Sequence, residues 1–101
     1  MIARMWRGRT RESERDTYFE YLQATGLKDY ASIPGNRGVW VLRRVYDGSA
    51  EFTLISLWDS WDAIKAFAGP EFEKAVYYPE DKKFLLELEP KVTHYEVLQS
   101  W

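Results

Sequence analysis

The stretch Gly38–Asp59, GVWVLRRVYDGSAEFTLISLWD, reads as two β-strands joined by a tight turn. Gly38–Tyr46 and Glu51–Asp59 are rich in β-branched and aromatic residues, and Asp47-Gly48 suits the positive-φ positions of a short hairpin. Side chains alternate across a strand. Val39, Val41 and Val45 therefore share one face, and Trp40, Leu42 and Tyr46 the other. In the second strand Phe52, Leu54 and Trp58 oppose Thr53, Ile55 and Leu57. Both faces of the hairpin are apolar, whereas an antiparallel sheet usually leaves one face polar and wet.

The flanking sequence supplies the rest of one domain. Upstream, Ile2–Arg7 (IARMWR) is a short strand that Gly8 is expected to break. Thr10 or Ser13 offers a helix cap, and Glu12, Glu14 and Asp16 suit the positive end of a helix dipole. Tyr18, Phe19, Tyr21 and Leu22 then recur at helical spacing as far as Gly26, with one irregular turn over Lys28–Ile33. Pro34–Gly38 (PGNRG) is dense in turn formers. Downstream, Asp59 or Ser60 caps a helix through Gly69, Pro70 opens a second helical stretch over Glu71–Tyr78, and Pro79 opens a third that Pro90 ends. Lys91–Leu98 (KVTHYEVL) is the last strand, with Val92 and Leu98 opposing Tyr95 and Val97. The order is βαββαβ, a ferredoxin-like α+β fold with a four-stranded antiparallel sheet, in a single domain over residues 1–101.

That topology puts its helices on one sheet face only. The other apolar face needs cover, so a homodimer packed through the sheet is expected. Five Trp, seven Tyr and five Phe among 101 residues press the same way, because so small a domain has little interior in which to hide them.

Composition narrows the chemistry. The net charge of −2 gives a polyanion nothing to bind, so nucleic acid is not an expected partner. The absence of cysteine removes disulfides, thiolate catalysis and cysteine-ligated metals. MIARMWRGRTR lacks the apolar core of a signal peptide, and no apolar run is long enough to span a bilayer. A cytoplasmic protein without a membrane partner is the expectation. No phosphate-binding glycine loop, nucleophile elbow or His/carboxylate metal spacing occurs, so no metal is expected.

Three segments carry a family resemblance. SLWDSWDAIKAFAG (Ser56–Gly69), a strand ending in Trp followed by an acidic-Ser cap and an apolar helix, resembles the strand-to-helix junction of antibiotic biosynthesis monooxygenase domains. KVTHYEV (Lys91–Val97) is similar to that family's last strand, and IPGNRGVWVLRR (Ile33–Arg44) to its second. The resemblance implies a dimeric α+β barrel. It also implies a superfamily that contains cofactor-free oxygenases of polycyclic phenols, haem-degrading enzymes and members without a known role. The haem degraders use an Asn on the first strand, a Trp at the junction and a haem-ligating His near the end of the next helix. Here Trp58 stands at the junction, the first strand has no Asn, and AVYY (Ala75–Tyr78) stands where the His would fall. Tyr77 or Tyr78 is left as the iron ligand if haem binds, since a tyrosine can hold haem iron.

One group of residues suggests a site. His94 is the only histidine and shares a strand face with Glu96; Arg4 and Trp6 share a face of the first strand, and Ser56 and Trp58 a face of the third. The first strand of such a sheet lies between the third and the last. Arg4, Ser56, His94 and Glu96 are thus expected to form one polar island among aromatics. His94 with Glu96 and Arg4 is the candidate catalytic group: a base to deprotonate a phenol and a cation to hold the anion. Trp6, Ser56, Trp58, Tyr77, Tyr78 and, at the rim, Asn36 are the candidate substrate contacts. Three functions stay open. The first is binding of a hydrophobic aromatic small molecule with cofactor-independent monooxygenation. The second is haem binding or degradation. The third is a non-catalytic dimeric ligand-binding or structural protein, in which the same polar island is a structural lock. The face that carries the island separates the first from the third.

Overall fold

The computed structural model describes residues 1–101. Strand β1 (Ile2–Arg11) leads through a 3-10 turn (Glu12–Glu14) into helices α1 (Arg15–Ala24) and α2 (Gly26–Ser32). Strands β2 (Asn36–Tyr46) and β3 (Ser49–Trp58) form the hairpin, helix α3 (Trp61–Ala68) follows, then a single turn α4 (Asp81–Phe84) and strand β4 (Thr93–Glu96). The sheet is antiparallel, in the order β2-β3-β1-β4. No helix is long and apolar enough to cross a membrane.

The hairpin closes at Asp47-Gly48, both at positive φ (49° and 74°), which matches the right-handed strand twist. β1 is longer than its sequence suggests, because Gly8 does not break it. Gly8 faces the helices, and the Trp6 ring lies over the place where its Cβ would be. Only glycine leaves room there for the indole. At the start of β2 a bulge between Asn36 and Gly38 is held by Asn36, whose Nδ2 donates to the Leu57 carbonyl at 3.2 Å while its Oδ1 accepts from the Gly38 amide at 3.1 Å.

The two sheet faces differ sharply. Ile2, Arg4, Trp6 and Thr10 of β1 and Ala50, Phe52, Leu54, Ser56 and Trp58 of β3 are buried beneath the helices. Tyr18 and Leu22 of α1, Tyr30 of α2 and Ala63 and Ile64 of α3 complete that core. The opposite face, with Trp40, Leu42 and Tyr46 of β2 and Tyr95 of β4, has nothing packed on it. Its largest ring, Trp40, is 56% exposed.

Four local expectations are corrected. Neither Thr10 nor Ser13 caps the first helix: Thr10 lies in β1, and α1 begins at Arg15 without a side-chain cap. Lys28–Ser32 belongs instead to a regular helix, α2, and Ile33 follows it in extended conformation. Glu71–Tyr78 is irregular chain rather than helix, and the helix expected after Pro79 shrinks to four residues. The Glu71–Tyr78 backbone spends its polar groups elsewhere, since Ala75 N donates to Pro90 O and Val92 N to Glu73 O. A helix would have consumed those groups internally.

Candidate functional site

β1 brings the site together by register. Arg4 lies opposite Ser56 of β3 on one side and opposite His94 of β4 on the other. All three side chains lie on the helix-covered face, so the polar island is inside the molecule and not on the open face. Arg4 is only 2% exposed. Its Nη1 donates to the Phe72 carbonyl at 2.5 Å and meets His94 Nε2 at 3.1 Å, while Nη2 donates to the Lys74 carbonyl at 3.1 Å. Its Nε–H has no acceptor. The guanidinium also lies 5.7 Å from the Phe67 ring, a cation–π distance.

A guanidinium can only donate, so His94 Nε2 must accept from it and the ring proton sits on Nδ1. Burial lowers the His94 pKa, and the Arg4 charge lowers it further, with Glu73 opposing. The ring is therefore neutral near pH 7. Burial also lowers the Arg4 pKa, partly offset by the neighbouring Tyr30 hydroxyl, yet arginine stays protonated at any physiological pH. Tyr30 is itself pushed up by burial and pulled back by Arg4, so its phenol keeps its proton.

Trp58 is fully buried behind this group. Its indole Nε1 donates to Ser56 Oγ at 2.9 Å, and its ring packs against Tyr30 and Phe67 with centroids at 5.9 and 5.7 Å. The His94 ring is bracketed by Trp61 at 5.3 Å and Phe72 at 5.6 Å, both edge-on. Trp61 is nearly half exposed, so this bracket is the rim of the site. Arg4, Trp6, Tyr30, Phe67, Val76 and Tyr78 help line a small, partly open pocket of about 20 Å³, room for about one water.

The remaining expected residues divide. Trp6 lies beside Arg4 and meets Tyr77 edge to face at 6.3 Å. The Tyr77 hydroxyl donates to the Glu89 carbonyl, and Tyr78 donates to Asp29 Oδ2 at 2.5 Å. Burial raises both phenol pKa values, and the Asp29 carboxylate raises that of Tyr78 further. Neither is disposed to become the phenolate that iron ligation requires. Glu96 shares the His94 face but lies exposed opposite Ile2, and the carboxylate His94 feels is that of Glu73. Asn36 is occupied at the β2 bulge.

Tyr30, Phe67, Phe72 and the two carbonyls were not legible as site groups. For Tyr30 a faint signal existed in the Leu27, Tyr30, Ile33 spacing; main-chain acceptors leave no sequence signal.

No family model and no curated protein matches the chain. Solved structures do. One, from Nitrosomonas europaea and assigned by name to the antibiotic biosynthesis monooxygenases, superposes with a TM-score of 0.69 at 14% identity over 98% of this chain and 100% of its own. A Bacillus cereus structure assigned to the same family gives 0.66 at 17%, over 99% and 93%. The haem degrader MhuD from Mycobacterium tuberculosis, with two haems bound in its active site, gives 0.60 at 15%, over 100% and 99%. The chain has the fold these proteins share.

Proposed function

We propose that the protein binds a hydrophobic aromatic small molecule at the Arg4–His94–Trp58 site and oxygenates it without a metal or organic cofactor. The observation that carries this reading is a buried guanidinium bonded to a neutral imidazole, walled by aromatic rings, on the helix-covered face. The shared fold supports it, because two of the similar structures bear a monooxygenase name. A phenol oxygen placed between His94 Nε2 and Arg4 Nη1 would pass its proton to the imidazole and keep its negative charge on the guanidinium. Lowered basicity makes His94 a modest base, and Arg4 compensates by stabilising the phenolate and so lowering the pKa of the bound phenol. The electron-rich phenolate is the form that reacts with O₂. One oxygen atom ends on the substrate carbon, the other leaves as water, and the substrate supplies all the electrons.

Oxygen uptake with a panel of polycyclic phenols, in chelator-treated buffer, tests this. Wild type should consume oxygen, and His94→Ala should lower the rate about 10²-fold or more. Unchanged turnover in the variant would sink the mechanism.

The haem reading has MhuD behind it, but the tyrosines nearest the expected ligand position do not fit as iron ligands, since both hydroxyls donate to acceptors and both phenols are held protonated. Adding haemin should leave the Soret band that of free haemin; a shifted, saturable band at one haem per site would replace the proposed function with the haem reading. We further propose that the open sheet face pairs with a second copy, giving a homodimer.

A further inference from the structure

Arg4 is a buried charge without a countercharge. None of the ion pairs in the molecule includes it, and no carboxylate lies within 4.0 Å. Neutral carbonyls solvate a guanidinium but do not cancel its charge, and a buried charge is stable only when compensated. One of its N–H groups is left without any acceptor.

The carbonyls that serve it come from a sparsely hydrogen-bonded part of the chain. Phe72 O and Lys74 O belong to the irregular run between α3 and α4. That run leaves α3 at Gly69, where φ is +84° and open space surrounds the position a side chain would take. Pro70 to Glu73 donate no main-chain hydrogen bond, and the strap is first tied down at Ala75 N–Pro90 O and Val92 N–Glu73 O. Phe72 is also the inner half of the aromatic bracket around His94. This sparsely bonded segment thus sits on an unbalanced buried charge, and the same irregular run, through Val76 and Tyr78, borders a pocket of about 20 Å³ that is too small for any aromatic ring.

We infer that the ligand of this site is an aromatic anion — a carboxylate, or a phenol that ionises on binding. Its oxygen takes the places on Arg4 now filled by the Phe72 and Lys74 carbonyls, and the Gly69–Lys74 strap swings aside at Gly69 to admit it. This rests on the reading of the site as one for aromatic small molecules. A charged acceptor bonds a guanidinium about twice as strongly as a neutral carbonyl does, and a carboxylate can engage two of its N–H groups at once.

Naphthoate and its neutral amide, naphthamide, are the probes, read by tryptophan fluorescence at neutral pH. Naphthoate should bind about tenfold more tightly or better. Arg4→Gln should remove that preference, so that naphthoate binds no more tightly than naphthamide. Naphthoate should also speed hydrogen exchange at the Lys74 and Ala75 amides, without a matching change in α1. Equal binding of both probes would overturn the anion assignment and leave the aromatic-site reading standing. Binding of neither at millimolar concentration would overturn both. Tight naphthoate binding with unchanged exchange at Lys74 and Ala75 would overturn the strap. Should Arg4→Gln fail to fold, the probe pair and the exchange pattern decide the matter on the unaltered chain.

Discussion

His94 is neutral because burial and the Arg4 charge both oppose its protonation. The consequence for stability has a definite sign. A histidine whose folded pKa lies below its ordinary value of 6.5 favours the folded state above that value, and the contribution is lost as pH falls through the folded pKa. Thermal melts should therefore show Tm falling as pH drops below about 6.5, and His94→Gln should flatten the fall. A variant that melts with the same pH dependence as wild type would show that His94 is not held as described. Trp58 poses a packing question instead. It is fully buried, packed edge to face with Tyr30 and tilted against Phe67, and its N–H is satisfied by Ser56. Its identity as the one sharp residue of the strand-to-helix junction was evident from sequence, but the Ser56 acceptor two residues earlier depends on both side chains facing the same way.

Helix α3 shows how little is needed to place an element. Ser60 is its N-cap in extended conformation, and its Oγ accepts from the Ala63 amide at 3.2 Å. The helix ends at Gly69, in a backbone region that L-residues avoid. Both signals stand in the sequence, and the helix forms where they say. Ser60→Ala should cost about 1 kcal/mol in chemical denaturation, by losing that cap. A loss of less than a few tenths would mean that α3 is held by packing of Ala63 and Ile64 alone. The strap after it shows the opposite case. Glu71–Tyr78 has helical spacing but only eight residues between two prolines, and so short a helix has little stability of its own. Its fate was decided by distant partners, Arg4 at one side and the Pro90–Val92 backbone at the other.

At the scale of the whole molecule the sheet is covered once. Trp40, Leu42, Tyr46 and Tyr95 stand on a face without helices, beside Met5, Ile55 and Leu57 by alternation. An exposed apolar surface of this kind marks an interface, and two such faces packed together would bury both. Sedimentation equilibrium should give the mass of two chains, and Trp40→Glu should shift it to one, because a carboxylate in that seam would be buried without a partner. A wild-type monomer at micromolar concentration would leave the face without the second copy proposed for it. The core beneath the helices contains no replaced residue in this variant, so a folded monomer is the expected product.

The strand pattern, the Asp47-Gly48 turn, the Ser60 cap and the double apolar alternation were all written in local sequence, since each depends on neighbours one to four residues apart. From them came the ferredoxin-like topology and the placing of Arg4, Ser56 and His94 on adjacent strands. Alternation alone could say that these three share a face, but not which face the helices would cover. That choice belongs to the tertiary structure, where Tyr18, Tyr30 and Ile64 bury themselves against Phe52 and Trp58 and so enclose the island. The same packing decided what surrounds Arg4: two carbonyls, one imidazole and no carboxylate. Main-chain acceptors are alike in every residue, so only folding could show that an irregular strap, rather than Glu96, meets the buried charge.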